Sequence, residues 1–469
     1  MRRPLLGAIS AGVLAAGLVA AGGPSIAQPP DGPPPGATPA AESYIVVYEG
    51  GVRSQSKTVD LEREHGIAAE RRFNRVFDGF SARMPEAVRD RLAKDPDVAF
   101  VAPDREVRAV PASEPIVPGD SVPTGARRIE AASSTAAMPA STVGVAVVDS
   151  GIDLAHPDLT SVAGVDCTTS GGTSQDANGH GTHVAGTIGA RNNGSGTIGV
   201  APGTTLFSVK VLDQDGVGSF SQVICGIDWI TANAATLGIK VANLSLSGEG
   251  SNDNNCGNSN NDALHLAICR STDQGITYVA AAGNEDTGFG SSVPAAYPEV
   301  LTVTAMADSD GAPGGNGGRP SCDLSESDDS PATFSNYAVS TIDKAHVVAA
   351  PGACIASTRL GGGTRVLSGT SMAAPHVAGV VALCHGSGGV AGPCDGLSPA
   401  QIIDLVRADA QARAASYGFT GDPRNSPGTQ HYGYLVDAEV TATGEPGPDP
   451  EPEPEPEPEP CIPSGSGGC

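Results

Sequence analysis

From Thr142 onward, short and continuously apolar segments alternate with longer segments whose apolar residues recur at helical spacing. The apolar segments predict buried strands at Val143–Val148, Leu206–Leu212, Val241–Leu246, Ile276–Ala282 and Val300–Ala305. The longer segments predict helices at His180–Gly189, Phe220–Leu237, Asp262–Gln274 and Ser371–Cys384. A capping box at Ser398–Gln401 opens one more helix, to about Ala410. This alternation favours an α/β fold in which helices cover both faces of a mostly parallel sheet.

The segment 42–111 has a different pattern and predicts a small, separate α+β unit. Its predicted strands are Tyr44–Tyr48, Phe77–Met84 and Val98–Ala102. Its predicted helices are Val52–His65 and Pro85–Lys94, the second with proline in its first turn. The segment also differs from the rest of the chain in having no cysteine.

Both ends of the chain differ from these two units. A charged start, an apolar Leu5–Ala21 and the small residues up to Ala27 predict a secretory signal peptide at 1–27, followed by a Pro/Gly-rich linker at 28–41. No other run reaches the roughly 18 apolar residues that a membrane span needs. We therefore expect a secreted, extracellular product without a membrane span, and a larger unit at 112–441. Residues 442–469 form a Glu-Pro repeat tail, for which polyproline II is predicted, and end in a cysteine pair.

Charge separates the two units as well. The net charge is −25, from 27 basic and 52 acidic residues, and residues 1–111 hold 14 of each sign. The whole acidic excess therefore lies downstream. A strongly acidic body argues against nucleic-acid partners.

The ten cysteines indicate disulfides, because an exported protein meets an oxidising environment. Eight lie in the larger unit: Cys167, Cys225, Cys256, Cys269, Cys322, Cys354, Cys384 and Cys394. Their pairing stays open, although Cys256 with Cys269 and Cys384 with Cys394 would close short loops. A zinc site is the alternative, and no CxxC pair supports it.

A glycine-rich turn at Ser368-Gly-Thr-Ser-Met-Ala-Ala-Pro-His376 opens the apolar helix and presents Ser371. Unpaired N–H groups at a helix start favour negative charge that forms beside that hydroxyl. Ser371 is therefore a candidate nucleophile for acyl transfer.

A serine nucleophile needs a base, and the base needs an orienting carboxylate. Asn178-Gly-His-Gly-Thr-His-Val-Ala-Gly186 supplies His180 at a helix start, and the apolar strand before it ends in Asp149. A metal pair of His180 with His183 is the alternative, but no Glu completes an HExxH motif. A helical segment would direct His183 elsewhere, to pack beneath the site.

Acyl transfer also needs donors for the oxyanion. Asn284 follows the strand that ends in Ala280-Ala-Ala-Gly283, so its amide could act beside the N–H of Ser371. Alone, an asparagine after glycine would be interpreted as a turn residue.

These four motifs, in the order Asp, His, Asn, Ser, resemble those of the subtilisin-like serine proteases over about residues 142–410. The resemblance implies a seven-stranded, mostly parallel sheet between helices, a serine endopeptidase with the triad Asp149, His180 and Ser371, and an oxyanion asparagine at Asn284. In this family, losing such an asparagine costs about 10² to 10³ in turnover, a known magnitude and not a prediction from this sequence. No cofactor is required by this chemistry.

The same resemblance implies two segments that pair with an extended peptide substrate. They contain Gly216 and Gly218 in the first and Ser245, Leu246, Ser247 and Gly248 in the second. Ala281, Ala282 and Gly283 would line the specificity pocket with small side chains. No acidic residue marks the pocket floor, so we expect apolar or broad specificity.

The segment 42–111 resembles the inhibitor-type propeptide of the family, a ferredoxin-like fold that caps the active site. The implied processing point lies between Arg108 and Pro118, by self-cleavage. Calcium is common in the family, and Pro298 and Val300 fall where relatives offer carbonyls to an ion. Val347 replaces the carboxylate expected downstream.

Three other functions are weaker. A serine esterase or lipase would need a GxSxG elbow, whereas this turn is Gly369-Thr-Ser-Met-Ala373. A serine-carboxyl peptidase would use a Glu base in place of His180. An inactive binding protein on the protease fold would lack a triad residue. We therefore expect a monomeric endopeptidase whose partners are protein or peptide substrates and its own propeptide.

Overall fold

The computed structural model of the protein describes residues 42–52, 54–109, 122–133, 137–425, 430–438 and 441. The predicted signal peptide (1–27), linker (28–41) and Glu-Pro tail (442–469) lie outside the described residues.

The N-terminal unit is a four-stranded antiparallel sheet with two helices. Its elements in chain order are β1 (Glu42–Tyr48), α1 (Ser54–His65), β2 (Ala69–Phe73), β3 (Gly79–Met84), α2 (Glu86–Leu92) and β4 (Val98–Pro103). The strand order is β2-β3-β1-β4, and every neighbouring pair is antiparallel. This βαββαβ arrangement is the expected ferredoxin-like fold. The helices bury Leu61 and Leu92 against the sheet.

One further strand, β5 (Glu106–Ala109), belongs to the segment 42–111 but pairs with strands of the larger unit. The larger unit contains the remaining elements. Its strands are β6 (Gly144–Asp149), β7 (Thr160–Asp166), β8 (Thr205–Lys210), β9 (Val217–Ser219), β10 (Ile239–Leu244), β11 (Leu246–Glu249), β12 (Thr277–Ala281), β13 (Ser292–Val293), β14 (Val300–Ala307), β15 (Ser330–Pro331), β16 (Val347–Pro351), β17 (Ile355–Thr358), β18 (Thr364–Leu367), β19 (Gly386–Ser387), β20 (Val390–Ala391) and β21 (Tyr434–Leu435). Its helices are α3 (Thr124–Arg128), α4 (His180–Gly189), α5 (Phe220–Leu237), α6 (Ala263–Thr272), α7 (Thr341–Lys344), α8 (Thr370–His385) and α9 (Pro399–Ala412).

The central sheet confirms the predicted α/β class. Its order is β21-β16-β14-β12-β10-β6-β8-β7, all neighbours along this path are parallel, and β15 adds one antiparallel pair at β14. The described path thus has eight parallel strands where the resemblance implied seven. The extra strand is the two-residue β21 at one edge, which pairs with β16.

Side chains of the central strands alternate between two apolar layers. Val145 and Val147 of β6 belong to a cluster with Val184 of α4 and Val377 of α8. Ala146 and Val148 face the other way, into a cluster with residues of α5 and α6. The N-terminal unit packs on that second side, because Ile45 and Phe100 belong to the same cluster. Helices therefore cover both faces of the sheet, and the ferredoxin-like unit packs against α5.

Four disulfides tie the larger unit together. The two short-range pairs, Cys256–Cys269 and Cys384–Cys394, are formed as the spacing suggested. Cys167–Cys225 joins the end of β7 to α5, and Cys322–Cys354 fastens the Gly-, Ser- and Asp-rich loop 308–330 next to β17. The predicted cysteine pair in the tail lies outside the described residues.

Gly186 in the middle of α4 provides a test of the packing between α4 and β17. An alanine Cβ there would collide with Thr358 Oγ1 and lie 2.5 Å from Ser357 Oγ. These two hydroxyls donate to the carbonyls of Thr182 and His183, each at 2.7 Å. Alanine would otherwise favour the helix by about 1 kcal/mol. Because the collision displaces both hydroxyls, we expect Gly186→Ala to lower the free energy of unfolding by about 2 kcal/mol.

The measurement is urea unfolding in a Ser371→Ala background, which avoids self-digestion. Gly290→Ala is the matched control, since the nearest atom to its Cβ would be 3.7 Å away. Equal stability of the two variants would contradict the packing argument.

Candidate active site

The candidate site lies where parallel strands end and two helices begin. Asp149 is the last residue of β6, His180 is the first of α4, and Ser371 is the second of α8. Carboxyl ends of parallel strands meet at one edge of a sheet, which brings residues that are far apart in sequence together. All three side chains are buried: Asp149 and Ser371 are 0 % exposed and His180 is 6 % exposed.

Asp149 and His180 form a close ion-pairing contact. The ring Nδ1 of His180 lies 2.9 Å from each carboxylate oxygen of Asp149. With Nδ1–H donating to the carboxylate, Nε2 is the nitrogen that can accept a proton. Within the described residues Nε2 has no hydrogen-bond partner. Burial favours the neutral ring, but the charge and hydrogen bond of Asp149 outweigh it and raise the pKa of His180.

Asp176 holds the loop that carries His180, and the sequence reasoning missed it. Its Oδ1 accepts from the N–H groups of Asn178 and Gly179, both at 2.9 Å, and from the Ser150 hydroxyl at 2.9 Å. Its Oδ2 accepts from the Thr182 N–H at 3.0 Å and from the Thr182 hydroxyl at 2.5 Å. This buried carboxylate therefore caps α4 and links it to the residue after Asp149. An Asp four residues before a predicted helix start is the signal that could have identified it.

Gly369 shapes the turn before Ser371. Its φ of 153° lies outside the range that most L-residues adopt. A Cβ at Gly369 would lie 3.1 Å from Asn284 Nδ2, so the glycine leaves room for that amide. The hydroxyl of Ser371 donates to the Ser245 carbonyl at 3.1 Å, and no hydrogen bond joins it to His180 in this arrangement.

The Asn284 amide is oriented by Thr370, which the sequence reasoning also missed. The N–H and the hydroxyl of Thr370 donate to Asn284 Oδ1 at 2.9 and 2.8 Å. The Gly283 N–H donates to the same hydroxyl oxygen at 3.0 Å. Because Oδ1 takes both donors, Nδ2 is directed to the other side, beside the turn that carries Ser371. Thr370 lies one residue before a candidate nucleophile, but its type alone gave no signal.

His183 and His376 are buried and take part in packing. His183 Nε2 donates to the Ile355 carbonyl at 3.0 Å, and burial lowers its pKa to about 3. His376 Nδ1 donates to the Met372 carbonyl at 2.9 Å, and burial lowers its pKa to about 4. Both rings are neutral at pH 7, which agrees with the interpretation that His183 packs beneath the site.

The backbone of residues 106–109 runs between the two segments predicted to bind substrate. On one side Val107 pairs with Gly218 and Arg108 with Val217, antiparallel. On the other side Ala109 pairs with Leu246 and Arg108 with Ser247, also antiparallel. β11 continues to β13 through Gly248. Gly216 lies at the turn before β9. Ala281, Ala282 and Gly283 are buried at the end of β12, beside Asn284.

Charged side chains fasten the ferredoxin-like unit to α5. Asp104 accepts from the Ser221 N–H at 2.7 Å, at the start of that helix. Asp228 of α5 accepts from the N–H groups of Arg75 and Val76 at 2.7 and 3.1 Å. The Arg105 carbonyl accepts from the Phe220 N–H at 2.6 Å. These contacts hold the residues immediately before β5. They therefore align β5 with the space between β9 and β11, which we call the channel.

The surroundings of Pro298 and Val300 do not fit a calcium ion. The Val300 carbonyl accepts from His346 Nδ1 at 2.9 Å, so its oxygen already has a donor. Val347 is buried and apolar, and the Asp343 carboxylate accepts from the Ser340 N–H at 2.9 Å instead. Calcium needs six to eight oxygen ligands, and neither Val347 nor the carboxylate of Asp343, which is engaged at Ser340, supplies the one expected downstream.

Two other groups of potential ligands occur among the described residues. Cys256 and Cys269, near His265 and Glu299, are joined in a disulfide and cannot act as thiolates. Asp308 and Asp328, near Asp310, accept from backbone N–H groups of their own loop, at Gly311 and Gly317. Neither group touches Asp149, His180 or Ser371.

None of the helices in the described part of the chain is long and apolar enough to cross a bilayer.

Fold and site together are those of a subtilisin-like serine endopeptidase. The chain matches the family model described as "Subtilase family" over residues 140–425 and the one described as "Peptidase inhibitor I9" over residues 43–109. It therefore belongs to the subtilase family and carries an I9 propeptide domain.

Individual relatives agree with this assignment. The chain is 36 % identical to Subtilisin E of Bacillus subtilis (strain 168) over 349 residues, which is 73 % of this chain and 80 % of that protein. It is 35 % identical to the extracellular serine proteinase of Thermus sp. (strain Rt41A) over 339 residues, 71 % of this chain and 72 % of that protein.

Solved structures show the same fold. A cold-adapted subtilisin-like serine proteinase is similar with a TM-score of 0.50 at 30 % identity, over 67 % of this chain and 97 % of that one. Fervidolysin from Fervidobacterium pennivorans, a keratinolytic enzyme related to subtilisin, is similar with a TM-score of 0.63 at 22 % identity, over 88 % of this chain and 62 % of that one.

The contact between Asp149 and His180 predicts how the pKa of His180 responds to the loss of the carboxylate. In full-length Ser371→Ala protein, we expect the pKa of His180 to lie above the usual histidine value. Asp149→Asn should lower this pKa, because burial is then opposed only by the weaker charge interaction with Asp176. Histidine-labelled NMR measures both. His183 is the internal control and should stay uncharged between pH 5 and 8. A His180 pKa that does not change on the Asp149→Asn substitution would contradict the argument.

Proposed function

We propose that this endopeptidase is secreted and cleaves peptide bonds through an acyl-enzyme, with Asp149, His180 and Ser371 as its triad. The observation that carries the proposal is the contact of His180 Nδ1 with both oxygens of Asp149, next to the helix start that presents Ser371. That contact fixes the ring with Nε2 as the proton acceptor.

The reaction then follows from the positions of the donors and acceptors. His180 Nε2 takes the proton of the Ser371 hydroxyl as its oxygen attacks the substrate carbonyl carbon. The oxyanion accepts from Asn284 Nδ2 and from the Ser371 N–H. His180 then gives its proton to the departing amine, and the C–N bond breaks. Water, activated by the same nitrogen, attacks the acyl-enzyme, and its proton returns to Ser371 as the acid leaves.

Peptide substrates bind as an added strand between β9 and β11. This is supported by β5, whose backbone already pairs with both strands. The residues expected to line the channel are Gly216, Gly218, Ser245, Leu246, Ser247 and Gly248. Ala281, Ala282 and Gly283 offer only small side chains, which favours apolar or broad specificity. The enzyme needs no cofactor for this chemistry and acts as a monomer.

The I9 domain acts as an intramolecular inhibitor until the precursor is cleaved. The pairing of residues 106–109 supports this, since a segment in the channel excludes substrate. The signal-like sequence at 1–27 supports export, and one relative is named an extracellular proteinase. The boundaries 42–111 for the propeptide and 112–441 for the catalytic unit stay predictions.

A fluorophosphonate probe tests the nucleophile. We expect the matured wild-type enzyme to be labelled at Ser371 and to hydrolyse a peptide library. Ser371→Ala should abolish labelling and lower kcat/KM at least about 10⁴-fold, because the attacking oxygen is gone. The exposed Ser327→Ala is the control and should behave as wild type. A matured protein that takes up no probe and cleaves no peptide would overturn the enzymatic mechanism.

The position of β5 predicts where the precursor is cut. Ala109 pairs with Leu246, and the preceding Ser245 carbonyl accepts from the Ser371 hydroxyl. The scissile bond should therefore lie within about three residues after Ala109, a range estimated from the extended-chain spacing of roughly 3.3 Å per residue. N-terminal sequencing of the matured protein measures it, and purified Ser371→Ala should remain uncut. A first residue later than Ser113 would contradict the position inferred from β5, and maturation of Ser371→Ala alone would contradict self-processing.

A further inference from the structure

The carbonyl of Ser371 has no helical hydrogen-bond donor. In an α-helix, each carbonyl accepts from the N–H four residues later. Four residues after Ser371 lies Pro375, inside α8, and proline has no N–H. Ser371 and Pro375 are both fully buried, so water cannot replace the missing donor without cost.

The hydroxyl of Ser245 takes the place of that donor. Ser245 follows β10, is 0 % exposed, and its Oγ donates to the Ser371 carbonyl at 2.8 Å. The same Oγ accepts from Asn243 Nδ2 at 2.9 Å, and Asn243 lies fully buried in β10. Because Ser245 Oγ accepts a hydrogen bond from Asn243, its single proton is free to be donated to the Ser371 carbonyl.

A second hydrogen bond runs in the opposite direction. The hydroxyl of Ser371 donates to the main-chain carbonyl of Ser245 at 3.1 Å. Ser371 is thus bound through its carbonyl and its side chain to one residue at the end of a central strand. β10 lies between β12 and β6 inside the central sheet, so Ser245 ties the first turn of α8 to a strand that is hydrogen-bonded on both sides.

We propose that the Ser245 hydroxyl, oriented by Asn243, is a positioning group for the nucleophile. It replaces the bond that Pro375 cannot make, and it fixes the peptide unit of Ser371 relative to β10. The proposal rests on the proposed function of Ser371, and it concerns the side chain of Ser245, whereas the peptide channel uses only the main chain of this residue.

A second serine, Ser141, also donates its hydroxyl to a carbonyl of α8 and provides a control for a hydrogen bond with a purely structural role. Ser141 Oγ donates to the Ala382 carbonyl at 2.6 Å, eleven residues beyond Ser371 in the same helix. It is the same kind of bond, from a serine hydroxyl to a carbonyl of α8, with no contact to the reacting groups. Ser141→Ala is therefore a matched control for general effects on the helix.

The test is a double-mutant cycle between Ser245 and Pro375 on the matured enzyme. Ser245→Ala leaves the Ser371 carbonyl without a donor, and we expect kcat to fall about tenfold with KM nearly unchanged. Pro375→Ala adds an N–H at the helical position. In the Ser245→Ala background it should restore kcat by about threefold or more, whereas Pro375→Ala alone should change kcat less than about twofold.

The rate of fluorophosphonate labelling reports the reactivity of Ser371 without a peptide substrate, and it should follow kcat through the cycle. Precursors are matured by a trace of wild-type enzyme, so slow self-cleavage does not prevent the measurement. A Ser141→Ala variant should lose stability but keep kcat. The inference is overturned if Ser245→Ala keeps wild-type kcat, or if Pro375→Ala restores nothing while unfolding shows all variants folded. An inactive, unlabelled wild-type enzyme would instead contradict the proposed function itself.

Discussion

The buried carboxylate of Asp149 is the constraint on which the site depends. It ends a strand whose six residues are all buried, so its charge cannot be solvated by water. A buried charge without a partner destabilises a protein by about 3 to 5 kcal/mol. The Ser150 N–H at 2.6 Å and His180 Nδ1 supply the partners. The imidazole of His180 thus helps to stabilise this carboxylate, and in the proposed mechanism the same contact makes the ring a base.

The channel between β9 and β11 imposes a second requirement. Without β5, the facing backbone edges of both strands would be unpaired, and such edges attract an extended chain. In the precursor β5 satisfies both edges at once, and the contacts of Asp104 and Asp228 hold the preceding unit in register with it. In the proposed function, the backbone groups that would pair with a peptide substrate are thus the same groups that pair with β5.

Much of the fold could be predicted because its helices and strands differ clearly in the spacing of their apolar residues. The helices α4 and α5 begin and end at the predicted residues, since a glycine turn precedes one and a capping box opens the other. β7 was missed because it is an edge strand with half-exposed residues and has no apolar run. β21 was missed because it is two residues long. The candidate site residues Asp149, His180, Asn284 and Ser371 were predicted from local motifs, and the structure brings Asp149 to His180 and Asn284 to the turn before Ser371. Thr370 and Asn243 could not be predicted in this way, since their roles depend on partners distant in the fold or on the geometry of one turn. Asp176 was missed, although its place four residues before a helix start is a usable signal.

The two helices that carry the reacting groups illustrate why such supporting residues exist. The first turn of a helix has N–H groups that no helical carbonyl accepts, so it is the part least fixed by the helix itself. Both His180 and Ser371 lie in that turn, where the free N–H groups are useful for chemistry. Each turn is instead held from outside: α4 by the Asp176 carboxylate, and α8 by Ser245 and Thr370 with its partner Asn284. Pro375 removes one more internal bond from α8 and increases its dependence on the strand. Groups outside the helices therefore fix the two helix starts, from the loop before α4 in one case and from the residues that follow β10 and β12 in the other.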